Sequence, residues 1–481
     1  MIGTLIEKEL KVILSGPKFL ATFFALSLIL LLSTYIGVSE YKQAVTQYET
    51  AAQLAEERLT QQTRWQQLST REQRVPDPMQ IFASGVNYDV GRFTRISPDE
   101  SIKLKHSVYS DDPVFAVFRM LDFSIIVQVV LSLFAILFTF DAVNGEKESG
   151  TLRLVFANAV PRARYLVAKI AGSWLGLVVP MLIPILLCLF LVMLFNVSLT
   201  GDHWLRIAVL IGVSLAYVSL FVVAGVLLST LTTRTRVSFL FSLVLWIAFV
   251  LILPRAGIMA AGHLSPVPPL AQVEGMRDGY AKNRWESFYT EAEERWRSDN
   301  YDPHDPADEA RLWARMERED SLRKDVQRDI EAYERRLLED LDNRRRVQQQ
   351  LGFVLARISP AALYQLAVSR LAGTDLSMKT AYEEALDRYR NDFLAYVDSH
   401  AADDGPGGGF VMSIDSEKGV SISTGRENDG LDLSDRPHFS VPQYASADAL
   451  QAVMLDAGLL VLLTLAAFAA AFISFLKFDV R

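Results

Sequence analysis

Six uncharged apolar runs stand out along the 481-residue chain, at 19–38, 123–140, 170–201, 207–233, 237–254 and 457–476. Each is close to or above the roughly 18 to 20 residues, at about 1.5 Å rise, that cross a hydrocarbon core of ~30 Å. The pattern predicts six membrane-spanning helices, over 19–38, 121–140, 170–197, 205–233, 237–254 and 450–476. The third run is longer than one span requires and carries Pro180 and Pro184, so it is either a kinked or broken helix or a long tilted one. The first run exceeds the apolar core of a signal peptide and lacks a small-x-small cleavage site, so it reads as an anchor.

Between the runs the pattern changes period. In 1–18, Ile2, Leu5, Ile6, Leu10, Ile13 and Leu14 recur at helical spacing with Glu7, Lys8 and Lys11 elsewhere, which predicts an amphipathic interfacial helix before Gly16 and Pro17. Residues 39–74 contain no Gly or Pro, so the first span is expected to continue as a water-exposed helix to about Arg74. Pro76, Pro78, Gly85, Gly91 and Pro98 then predict loops, with short strands around 81–90. Residues 255–269 are mildly apolar and are expected to dip back into the outer leaflet. The Gly- and Pro-free stretch 307–351 predicts a helix of roughly 68 Å. Its narrow stripe of Leu312, Met316, Leu322, Val326, Ile330, Tyr333, Leu337 and Leu341 has one buried face, as a surface helix or a coiled-coil seam. Two helices at 360–373 and 376–400, a loop at 405–410 and strands near 411–414 and 420–423 complete the large segment.

Charge gives this layout a direction. Lys8, Lys11 and Lys18 precede the first span; Lys147, Arg153, Arg162, Arg164 and Lys169 separate spans two and three; Arg234 and Arg236 separate four and five; Lys477 and Arg481 close the chain. All four segments fall on one face if both termini are inside, and the opposite short loop around 202–206 has one basic residue, which is the asymmetry of a cytoplasmic face. The expectation is an interfacial helix 1–18, a cytoplasmic segment 141–169 and a tail 477–481 inside, with 39–118 and 255–448 extracytoplasmic. Residues 39–118 hold nine basic and eleven acidic residues, and 263–448 hold 24 and 36, a balance that argues against nucleic acid. The single cysteine, Cys188, lies inside the third span, so no disulfide within the chain is available and it reads as an apolar packing residue. The fold class is an all-α polytopic membrane protein with a large, mainly helical extracytoplasmic domain containing a few short strands.

No catalytic constellation is present: there is no HExxH, GxSxG or CxxC. Asp122 and Asp456 fall at outer ends of spans and Gln128 is the main polar residue deeper in span two, too little for an ion relay. Residues 145–151, GEKESGT, echo a phosphate loop but lack the following Lys, and Glu146 and Glu148 would repel phosphate. His106, His203, His263, His304, His400 and His438 all fall in segments placed outside, with no two at a metal-ligand spacing. The chain reads as non-catalytic, with no cofactor or metal of its own.

What remains is 141–169, DAVNGEKESGTLRLVFANAVPRARYLVAK. Span two is expected to end at 139–144, a turn at 145–150 to project, and 151–158 to form a short amphipathic helix capped by Thr151, with Leu152, Leu154, Val155 and Phe156 offering apolar contacts. Arg162 and Arg164 would sit at the membrane surface ahead of a span beginning near Lys169. The pattern of Glu146, Glu148, Gly150, Thr151, Leu152, Val160, Pro161, Arg162 and Lys169 resembles that of the ABC-2 type permeases, the type V exporter-like ABC transporter family. The insertion of 186 residues at 263–448 departs from short members and is similar to the subgroup of multicopper-enzyme-maturation and gliding-type permeases, as is SPAALYQLAVSRLAGTD at 359–375.

The resemblance implies a permease subunit of an exporter in the bacterial inner membrane, paired with a second copy or a homologous permease. Each permease would dock a separate ATP-binding cassette subunit on 141–169, with ATP and Mg on that partner. Glu146, Glu148, Gly150, Thr151, Leu152, Pro161 and Arg162 are the coupling residues so implied. The alternative is a mechanotransmission device that acts on a periplasmic or envelope partner and translocates nothing.

Overall fold

The computed structural model describes residues 2–62, 65, 68–85, 93–96, 122–158, 160–297, 306–403, 410–415, 419–424, 431–442 and 446–477. Six helices are long and apolar enough to cross a membrane: Pro17–Thr60, Phe123–Glu148, Arg162–Leu194, Gly201–Leu231, Thr235–Leu264 and Ala449–Leu476. They are spans one to six below. Strands among the described residues form two antiparallel hairpins, β1 (Thr70–Gln73) with β2 (Phe93–Ile96) and β3 (Phe410–Asp415) with β4 (Gly419–Thr424). The expected all-α polytopic architecture is therefore present. The chain divides into two compact units, residues 1–250 with 360–481, and residues 251–359.

Span four is the hub of the first unit. It is apolar on every side and touches spans two, three, five and six, as a helix without a polar face must. Where it crosses span two, a Cβ on Gly225 would lie 1.9 Å from Thr139 Oγ1, so only glycine permits this approach. Span two opens into a π turn at Ile126–Leu131. There the Gln128 carbonyl accepts from the Tyr217 hydroxyl at 2.9 Å, and the Trp246 indole N–H donates to Ser132 Oγ at 2.9 Å. Polar groups in this apolar layer are thus spent on joining spans two, four and five.

At one end of the bundle, the loop end, residues 77–85 lie across the helices, with Met79, Ile81 and Phe82 buried. Asp77 accepts from the Met79 amide at 2.8 Å to start the 3-10 turn Pro78–Ile81 and faces His203 and Arg206. Burial alone would raise its pKa, but those two partners and the Met79 amide hold it below the ordinary value. Helix Pro360–Leu371 packs beside spans four and six. Its fully buried Tyr364 stacks on Tyr217 at 4.7 Å, and Arg370 meets the buried Asp456 at 2.8 Å. A side lobe on this unit joins Leu59, Trp65 and Leu68 to Tyr382, Leu386, Tyr389, Phe393 and Val397 of helix Leu376–Asp403.

Several expectations change here. The first helix stops at Thr60 rather than near Arg74. The Gln62 side chain bonds both the amide and the carbonyl of Ser69, closing a turn that returns Trp65 and Leu68 to the lobe core, where their burial outweighs helix propensity. Among the described residues strand structure falls at β1 and β2, and 81–85 hold none; the rest of the expected 81–90 lies outside the described residues, as does most of the loop at 405–410. Span three is one helix through Pro180 and Pro184 and begins at Arg162, not near Lys169. Residues 253–264 are a helical extension of span five.

The second unit is a helical hairpin. Helix Pro306–Ala356 runs antiparallel to Leu270–Arg297, as the pairs Arg277 with Glu334, Arg284 with Asp329 and Arg295 with Glu319 require. Tyr280 stacks on Tyr333 at 4.1 Å, and Phe288, Val326 and Ile330 are buried between the helices with Trp285 and Leu322 beside them. The same long helix continues antiparallel along Leu253–Leu264: a Cβ on Gly257 would meet the Ala356 amide nitrogen at 2.8 Å, and the Gln348 side chain donates to the Ser265 carbonyl. The expected stripe holds at Leu322, Val326, Ile330 and Leu341, whereas Met316 is 49% exposed and the side chain of Leu312 lies outside the described residues.

Candidate functional site: the turn between spans two and three

At the other end of the bundle, span two runs on into a single helical turn, Asn144–Glu148. Gly150 follows at φ +75° with open space around it, so left-handed backbone rather than crowding calls for glycine. It redirects the chain into the two-turn helix Thr151–Ala157, and Arg162 opens span three. Gly150, not Thr151, occupies the cap position, and no side chain caps this helix. The Thr151 hydroxyl reaches back to the Glu146 carbonyl at 3.3 Å and meets Ser149 Oγ at 2.9 Å.

The short helix has two unlike faces. Leu152 is buried with Ala142, Val143, Tyr165, Leu166, Val226 and Phe475, and Val155 and Phe156 pack at the margin of that cluster. Leu154 is 67% exposed, with Arg153 exposed beside it.

Beneath the turn lies a buried charge cluster. Lys169 Nζ, on a side chain 8% exposed, stands 2.7 Å from Glu9 and 2.8 Å from Glu146. Glu146 also accepts from Lys8 at 2.9 Å and from the Tyr165 hydroxyl at 2.7 Å. The amino-terminal helix Ile2–Leu14 is held against span three because Gly172 and Gly176 leave room for Glu9 and Ile13. Ions out of water persist only when each is paired and hydrogen-bonded. Here one cation serves two carboxylates and ties three elements together.

The turn is fastened to the other spans as well. The Val143 and Asn144 amides donate to Ser229 Oγ, and Asn144 Nδ2 donates to Thr232 Oγ1, all on the end of span four. Glu148 accepts from the Thr235 amide and hydroxyl, at 2.9 and 2.8 Å, at the amino end of span five. There a carboxylate satisfies an orphan N–H and complements the helix dipole. Arg162 donates to the carbonyl of Leu476, 2.6 Å away, at the carboxyl end of span six, the complementary arrangement.

Of the seven residues singled out in the sequence, Leu152 is buried and Glu146 and Arg162 are half-buried, and Glu148 fixes the turn from an exposed position, while Gly150, Thr151 and Pro161 are exposed. Glu9, Tyr165, Asn144, Ser229 and Thr235 belong to the same site and were not singled out. Glu9 had a signal: it falls in the stripe Ile2, Ile6, Glu9, Ile13, an acidic residue on an apolar face. Among the described residues no group of three or more His, Cys, Asp or Glu is placed to hold a metal ion. Chemically the site is a junction of hydrogen bonds and ion pairs around an exposed apolar residue, suited to bearing load.

A family model described as ABC-2 family transporter protein matches residues 4–480. No curated protein matches the chain. With a match over nearly the whole length and six apolar helices long enough to cross a bilayer, the chain is a multi-pass membrane protein that belongs to the ABC-2 transporter family.

Proposed function

We propose that the chain is the permease subunit of an ABC exporter in a bacterial inner membrane, driven by a separate ATPase that docks on the turn at 141–169. Family membership implies an ATP-binding cassette ATPase as partner. The observation that carries the docking site is the convergence of bonds on the turn. Through Glu146, Asn144, Glu148 and Arg162 it is joined to the amino-terminal helix and to spans three, four, five and six. A displacement applied there reaches every span the turn touches, because packed interfaces shift as blocks rather than deform smoothly. Leu154 and Arg153 offer the partner an apolar anchor with a basic neighbour, the helix-in-groove mode.

In this reading both termini are cytoplasmic, ATP and Mg are held by the partner, and the permease works as a dimer with a second copy or a homologous chain. The large segment after span five favours membership of the subgroup with an extracytoplasmic insertion. The 51-residue helix Pro306–Ala356, about 75 Å long, favours a second reading, force transmission to a periplasmic or envelope partner without translocation. Co-expression with an ABC ATPase encoded beside this chain tests the docking site. Leu154→Glu is expected to abolish co-purification while leaving the permease folded, and an intact complex with that variant would remove 141–169 as the docking surface.

A further inference from the structure

The long helix of the second unit changes character near its end. Residues 306–342 carry twelve acidic residues, and 343–374 carry none, while Arg344, Arg345, Arg346 and Arg357 follow within fifteen positions. Over the same turns Val347, Val354 and Ile358 are 55, 59 and 63% exposed, with Leu351 half-buried between them. The spacing 347, 351, 354 is that of one helix face, and Ile358 follows in the turn after Ala356. A different face of the helix, carrying Gln348, Gly352 and Ala356, is the one packed on Leu253–Leu264.

That neighbour is the last part of span five, a helix of 30 residues and so about 45 Å long, which overruns a hydrocarbon core of ~30 Å. Its own Ile258, Met259 and Leu264 are 60, 66 and 69% exposed. An apolar stripe rimmed by arginines and running beside the end of a membrane span matches a lipid surface in both polarity and charge. Arg344 and Arg345 make exposed pairs with Asp340 and Asp342, contacts weak enough for a phosphate to replace.

We propose that residues 343–358 cross the lipid boundary of the leaflet reached by the 264 end of span five, with Val354 and Ile358 toward the acyl chains, Val347 and Leu351 nearer the headgroups, and Arg344, Arg345 and Arg346 on the phosphates of anionic phospholipid. The base of the hairpin is then anchored by lipid as well as by protein. The proposal rests on the membrane spans and not on the ATPase docking site, so either stands if the other fails.

The test uses the full chain with Cys188→Ala, which removes the only cysteine, and nitroxide-labelled Val347→Cys, Val354→Cys and Ile358→Cys, with Gln327→Cys as a water-exposed control. Each is placed in nanodiscs of phosphatidylcholine alone or with phosphatidylglycerol. The expected result is high oxygen and low nickel-chelate accessibility at 347, 354 and 358 but not 327, stronger in the anionic discs. The triple change Arg344→Ser, Arg345→Ser, Arg346→Ser then removes the lipid dependence, each arginine shifting the bound equilibrium about fivefold. Water-like accessibility at all four positions in both discs overturns the proposal. Protection that disappears when each disc holds one chain also overturns it, in favour of a second copy as the covering surface. Equal protection in both discs overturns the assignment to anionic headgroups.

Discussion

The charge cluster under the turn and the ion pairs along the hairpin use the same residue types in opposite ways. Lys169, Glu9 and Glu146 are almost removed from water and share bonds, whereas Arg284 and Asp329 of the hairpin are 33 and 51% exposed. Buried ions that have lost hydration depend on every partner, so removal of one is felt across the site. Exposed pairs retain their water and each contributes little. The turn is therefore a brittle junction and the hairpin a tolerant one.

The sharpest break in this contrast is Lys169→Met. It leaves Glu9 buried without its cation and Glu146 with Lys8 in place of two cations, and is expected to cost about 3 to 5 kcal/mol, read as a fall in thermal stability of the purified protein. Next comes Leu152→Ala, which opens a cavity among Val143, Tyr165, Leu166 and Phe475 and should cost roughly 2 to 4 kcal/mol while freeing the short helix to hydrogen exchange. In the hairpin, Arg284→Ala is expected to change stability by ~0 to 1 kcal/mol. An equal cost for Arg284→Ala and Lys169→Met would erase the distinction.

The smallest effect is a pH dependence of opposite sign in the side lobe and the hairpin. Burial raises the pKa of Glu72 beside Tyr389, so the folded lobe favours the protonated form. Its contribution is present below the unfolded value of about 4.3 and is lost as pH rises through the raised folded value. Arg295 lowers the pKa of Glu319, so the hairpin holds its contribution above the unfolded value and loses it as pH falls through the lowered one. Mild acidification should then raise hydrogen-exchange protection around 72 and 389 relative to 295 and 319. A shift of both regions in the same direction would contradict these environments.

The spans were legible because an uncharged run of that length has few other solutions, and the long helix of the hairpin because its stripe repeats at helical spacing through Val326 and Ile330, whereas its partner Leu270–Arg297 was not singled out. The end of the first helix was not legible. Gln62, Trp65 and Leu68 read as continuing helix locally, and only contact with Tyr382 and Phe393, more than three hundred positions away, turns the chain back. At the turn the sequence picked out Glu146, Glu148 and Arg162 but suggested a surface for a partner. Their bonds to Lys169, Thr235 and Leu476 depend on which helix ends meet in space, which one-dimensional spacing does not encode. Thr151 was misplaced by one position because Gly150 at positive φ supplies the reversal itself.

The most direct measurement places one reactive probe on each region. In the Cys188→Ala chain, Leu154→Cys on the turn and Leu338→Cys on the hairpin are both exposed positions, and each would carry a short bifunctional cross-linker in the complex with the cognate ATPase. The account predicts a permease–ATPase adduct from position 154 and none from 338. An assembled, ATP-hydrolysing complex that gives no adduct at 154 would contradict it.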